Sequence, residues 1–173
     1  VGLIVLVAII FPIADSGRIS GGSDRDEALT AAAEELMHGR YPYTPEDYEG
    51  GPITPFPGAV FLAIPFVLLG NVAYQSVFWL GIAFLVFRSY FKDARKALLF
   101  LWTILALAPV LLQQLVTGAD LVSNALYLVA FMWLLSSSID GGSGWSRRGI
   151  LASILLGIGL ASRLNYLLLT PLI

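Results

Sequence analysis

Long apolar runs alternate with short polar breaks along most of this chain. Residues 1–14 form a first run, 72–91 a second, 97–116 a third, 121–138 a fourth and 150–173 a fifth. A helix needs about 20 mainly apolar residues to cross a hydrocarbon core about 30 Å thick, so each longer run reads as a membrane-spanning helix. The first is the visible end of one. The chain opens inside one apolar run and stops inside another, so a piece of a longer polytopic protein is expected. A cleaved signal peptide is the rival for residues 1–14, but no basic leader precedes them and Phe11-Pro12-Ile13-Ala14 makes a poor cleavage site. Residues 56–69 are also apolar. They number about fourteen and contain Pro57 and Pro65, a length more typical of interfacial or re-entrant segments. The fold class expected is an all-α, polytopic transmembrane bundle whose outer loop, about residues 15–71, carries juxtamembrane helices.

Charge sets the direction. Arg88, Lys92, Arg95 and Lys96 cluster between the second and third runs, and Arg147 with Arg148 before the fifth. The positive-inside rule puts both clusters in the cytoplasm. The tip Thr117-Gly118-Ala119-Asp120 then lies outside. So does the segment Asp15 to Glu49, which holds nine of the twelve acidic residues, provided residues 56–69 do not cross. A multi-pass protein of the cell membrane is expected, with the bilayer as partner and no nucleic acid. Hydrophobic residues make up 57% of the chain and charged ones 13%, against about 25% charged in soluble domains. With no cysteine and a single His38, thiolate chemistry is excluded and a histidine-built metal site is disfavoured.

In the outer segment, Ser23 reads as an N-cap with Asp26 three residues on, and Gly39 as the residue that ends the helix. A helix from about Asp24 to His38 follows. Leu29, Ala32, Ala33 and Leu36 make its apolar stripe, expected to rest against the membrane domain. Asp26 falls on the border of that stripe, beside Ala33 and Met37, and so turns inward. Glu27 and Glu34 project to the wetter side, and Glu34, Glu35 and His38 read as a solvated face. Acidic residues near a helix start also complement its dipole, which would explain Asp24, Asp26 and Glu27 without chemistry. Arg163, within the fifth run, needs a cavity or a partner, because a cation in the membrane is costly. A lipid phosphate fits its fork. Pairing with Asp120 or with a carbonyl is the alternative, and Asp120 itself serves equally as a helix cap.

The order of these features resembles the GT-C superfamily of membrane glycosyltransferases. Asp24-Arg25-Asp26-Glu27-Ala28-Leu29, Ala31-Ala32-Ala33 and Gly39-Arg40-Tyr41-Pro42-Tyr43 are similar to the Asp-Glu, alanine-rich helix and Gly-x-Pro-Tyr pattern of that superfamily's first outer loop. Pro52-Ile53-Thr54-Pro55-Phe56-Pro57-Gly58 resembles the proline-rich lead-in to its next helix. Gly118-Ala119-Asp120 resembles its second outer acidic position, and Gly157 to Asn165 its Gly-rich helix ending in a basic residue. The likeness covers nearly all of this chain but only the N-terminal part of such an enzyme, so the chain alone is expected to be inactive. The His-x-Pro-Pro run of the protein-mannosyltransferase branch is missing, and Asp24-Arg25-Asp26 is the sole Asp-x-Asp.

The resemblance implies sugar transfer from a polyprenyl-phosphate donor to an acceptor at the outer face, in a mannosyltransferase-like manner. Asp26 is its general base. Arg163 is its phosphate-binding residue. Asp24 and Asp120 are secondary candidates for binding the acceptor or a divalent cation, and the apolar spans hold the prenyl chain. Two other classes compete: a transporter or flippase fragment with Arg163 and Asp120 lining a path, and a non-catalytic scaffold. No internal repeat supports the former, and the inward charges are superfluous in the latter.

Overall fold

A computed structural model describes residues 5, 9–11, 13, 24–44, 50–139 and 146–168, with the side chains of Asp24 and Leu167 outside that description. Among the described residues the protein is helical and has no β-strand. Its helices are α1 (Asp24–Met37), α2 (Pro57–Leu68), α3 (Tyr74–Phe91), α4 (Ala94–Leu107), α5 (Pro109–Val116), α6 (Asp120–Ile139), α7 (Arg147–Leu160) and α8 (Leu164–Leu167). Residues 5, 9–11 and 13 of the first apolar run are helical as well. One helix, α6, is by itself long and apolar enough to cross a membrane, and α4 with α5 reach that standard only as a bent pair.

Two of the expected spans are broken. Residues 97–116 bend by 94° between α4 and α5. Pro109 has no N–H to continue the helix, and its ring drives Ala108 out of the helical region, to φ −128° and ψ 78°. The run 150–173 stops at Leu160, and Arg163 stands in extended backbone ahead of the single turn of α8. There Ser162 closes back on the helix, its hydroxyl donating to the Gly159 carbonyl at 2.6 Å. Arg163 therefore occupies a break, not a continuous span. Residues 169–173 lie outside the described residues.

Helix α1 matches its expected bounds. It ends where Gly39 adopts φ +70°, with Gly39 N–H donating to the Leu36 carbonyl and Arg40 N–H to that of Glu35. Ser23, the expected cap, lies outside the described residues. The apolar stripe is corrected in two respects. Leu29, Ala32 and Ala33 are fully buried, but Leu36 is exposed and Ala28 takes a place in the core. They rest on Ala59, Val60 and Ala63 of α2, not directly on the longer helices. Helix α2 is the short apolar helix expected within 56–69, and it packs in turn on α7.

That second contact is backbone on backbone. Gly58 N–H donates to the Ala161 carbonyl at 3.1 Å, and a Cβ on Gly58 would sit 2.0 Å from the Ile158 carbonyl oxygen. No side chain can yield there. Gly58→Ala is expected to lower stability by about 3 kcal/mol, at the upper end of ordinary overpacking. Gly81→Ala, in α3 with open space around it, is expected to be neutral or mildly stabilising. Thermal unfolding of the two purified variants checks the contrast; equal midpoints refute it.

The remaining helices fix the ends of the bundle. Ser76 and Ser123 meet hydroxyl to hydroxyl at 3.1 Å, and Trp79 packs edge-on against Tyr127 and Phe131, so α3 and α6 run in the same direction. Helix α7 runs against them, with Gly159 on Phe131 and Leu128 and with Arg148 donating to Ser137 at its start. Small residues at such crossings let helices approach closely. The C-terminal end of α3 and the start of α7 thus share one end of the protein. The starts of α3 and α6 and the end of α7 share the other.

Candidate functional site

At this second end the first turn of α1 lies over the tip between α5 and α6. The packing of α1 on α2 fixes its rotation, and rotation turns Asp26 inward: its residue exposure is 5%, while Glu27 and Glu34 stay exposed. Gly118 passes beneath it at φ +72°, where a Cβ would lie 2.7 Å from a Phe11 ring carbon and 3.5 Å from Asp26 Oδ2. Glycine is required by the backbone and by the space.

Two residues further, Asp120 opens α6 and is 1% exposed. Arg163 Nη2 donates to its Oδ1 at 2.9 Å and its Oδ2 at 3.1 Å, and Asn124 Nδ2 donates to Oδ2 at 2.8 Å. Arg25 Nη1 stands 3.6 Å from Oδ1. Tyr127 then donates its hydroxyl to Asn124 Oδ1 at 2.7 Å. A buried carboxylate without such partners would be very costly, and charge-assisted bonds of this kind are the strong ones. Asp120 is thus a hub joining α1, α6 and the break after α7. Of the alternatives for Arg163, pairing with Asp120 is what the structure contains. The Nε of Arg163 is buried with no hydrogen-bond partner among the described residues.

A cleft of about 440 Å³ opens beside Asp26. Asp26, Glu27, Thr30 and Glu34 line it from α1, Val67, Gly70, Asn71 and Val72 from the end of α2 and the turn after it, and Phe11 from the first helical segment. This volume is typical of small-molecule sites. Thr30 donates to the Asp26 backbone carbonyl at 2.7 Å, and both residues line the cleft.

The structure therefore brings Asp26, Asp120 and Arg163 to one end. The side chain of Asp24 lies outside the described residues. As a cation site the set does not fit: both oxygens of Asp120 are taken by arginine and asparagine, and no three His, Cys, Asp or Glu side chains gather to hold a metal ion among the described residues. Glu35 belongs elsewhere. The fork of Arg40 holds its carboxyl below the usual range, through bonds including 2.6 Å to Oε1, at the exposed end of α1. Burial, in contrast, pushes the Tyr43 phenol up.

Arg25, Asn124 and Tyr127 were not singled out from sequence. For the last two the signal is legible: Asp120, Asn124 and Tyr127 recur at i, i+4 and i+7, one polar stripe inside an apolar run. Arg25 gives none, lying between two aspartates that draw the eye. Compared with protein-family models, curated proteins and solved structures, the chain matches none.

Proposed function

We propose that this chain carries the catalytic end of a multi-pass membrane glycosyltransferase of the GT-C type, moving a sugar from a polyprenyl-phosphate donor to a hydroxyl acceptor at the outer face. One observation carries the reading: a buried carboxylate, Asp26, lines a ligand-sized cleft at the end where two arginines converge on Asp120. Paired charges of opposite sign suit a reaction that takes up a proton and releases a phosphate. The Asp26 carboxylate accepts the proton of the acceptor hydroxyl as its oxygen bonds to the anomeric carbon. The bond from that carbon to the phosphate oxygen breaks, and the phosphate leaves with the electron pair. Arg163 stabilises the departing anion through the positive charge of its guanidinium, and Arg25 adds a second positive charge. Apolar surface on α3 to α5 faces the lipid.

The orientation follows from charge. Six cations lie at the end away from the cleft, which the positive-inside rule makes cytoplasmic. Membranes carrying the full reading frame are expected to transfer labelled hexose from polyprenyl-phosphate-hexose donors. A cysteine at Thr44 is expected to react with an impermeant reagent in intact cells, and one at Ser89 or Ser146 only after permeabilisation. Labelling of Ser89 in intact cells overturns the orientation. Absence of both transfer and saturable donor binding overturns the function.

A further inference from the structure

The opposite end carries a second feature, a groove of about 400 Å³ on the exposed side of α3 lined by Leu85, Arg88, Ser89 and Lys92. We propose that this groove binds the phosphate headgroup of an anionic phospholipid. The four residues stand at i, i+3, i+4 and i+7, so one helix face presents an apolar residue followed by a guanidinium, a hydroxyl and an ammonium. Arg88, Ser89 and Lys92 are exposed, and neither cation has an ion-pair partner among the described residues. The neighbouring carboxylate, Asp93, is engaged otherwise: it accepts the backbone N–H groups of Arg95 and Lys96 at 2.7 and 3.3 Å and so starts α4. Arg95, Lys96, Arg147 and Arg148 add positive field at the same end, without completing the groove.

Lys92 supplies a separate argument. It ends α3 at φ +54° and is the one non-glycine residue at positive φ among the described residues. Glycine or asparagine fills such a position at lower cost. A lysine there puts a cation at the rim of the groove despite the strain, as a functional contact would require. Lipid is favoured over a free anion by what adjoins the charges. Leu85 is half exposed, and Phe78, two turns back on the same face of α3, is an exposed apolar side chain as well. A soluble phosphate uses neither of them, whereas a lipid lays its chain there and its phosphate between fork and ammonium. The inference rests on the membrane reading of that apolar surface but not on sugar transfer, and its test involves no transfer.

Native mass spectrometry of the detergent-purified protein, titrated with phosphatidylglycerol or with phosphatidylcholine of the same acyl chains, decides it. About tenfold tighter binding of phosphatidylglycerol is expected, given roughly this much attraction per two cations at a partly screened surface. Arg88→Gln/Lys92→Gln should bring the ratio close to one, and Arg95→Gln/Lys96→Gln should leave most of it. Lys92→Gly relieves the backbone and should unfold no earlier than the parent, yet lose about threefold of the preference. Three results overturn the proposal: a preference unchanged in the Arg88/Lys92 variant, equal collapse in both double variants, or displacement of phosphatidylglycerol by glycerol 3-phosphate at comparable concentration. Failure to bind either lipid overturns it together with the membrane reading.

Discussion

Asp26→Asn is expected to fold and insert normally while losing sugar transfer by about 10²–10⁴-fold, the contribution of a well-placed general base. Asparagine keeps the shape of the side chain and serves well in the first turn of a helix, so α1 should stay in place on α2. The backbone bond from Thr30 is untouched, since it uses the Asp26 carbonyl. What disappears is the carboxylate beside the cleft. Glu35→Gln is the control: that side chain serves only the Arg40 fork, and transfer should change little. Initial rates at equal protein level distinguish the two. Full activity in Asp26→Asn would leave its carboxylate a helix-end charge and nothing more. Inactivity of Asp24→Asn in its place would move the base by two residues.

Arg163→Leu is expected to do two kinds of damage, and a second substitution separates them. Removing Arg163 strands Asp120, which is buried and keeps only Asn124 and the more distant Arg25. Breaking such a pair costs on the order of 3 kcal/mol. Replacing both partners by apolar residues removes the buried charge as well, and such replacements are often neutral. Asp120→Leu/Arg163→Leu should therefore regain most of the stability lost by the single variant. Binding of the polyprenyl-phosphate donor should remain lost, because the fork proposed to meet the phosphate is gone. Arg163→Lys should keep part of it, as charge survives without the bidentate geometry. If donor affinity returns with stability in the double variant, Arg163 is a structural residue and the phosphate lies elsewhere.

The sequence made some of this plain and hid the rest for physical reasons. Local signals carried α1: a glycine that tolerates positive φ and an apolar stripe with helical spacing are short-range features, and the inward turn of Asp26 follows from them. Helix α6 was equally readable from an unbroken apolar run. The break at Ala108 was visible as a proline, but a proline in an apolar run is compatible with a kinked span as well as with a 94° bend, and only packing selects between them. The partnership of Arg163 with Asp120 was open to the sequence only as one alternative, because it joins residues 43 apart and no periodicity selects it. Gly58 was noted as part of a proline-rich pattern. Its reason, a carbonyl of α7 where a Cβ would be, exists only once two helices meet.

That meeting has a bearing on which properties can change independently. Helix α2 bears α1, and with it Asp26, on one side, and holds the carbonyl next to Arg163's turn through Gly58 on the other. Asp26 and Arg163, the proposed proton acceptor and counter-charge, are thereby held from the two sides of one helix. Their separation is set by how α1 packs on α2 and α2 on α7, so a substitution at either face of α2 should shift both groups relative to each other. In a machine shop this would be a jig: the tool and the clamp share a bed, and the workpiece is what varies.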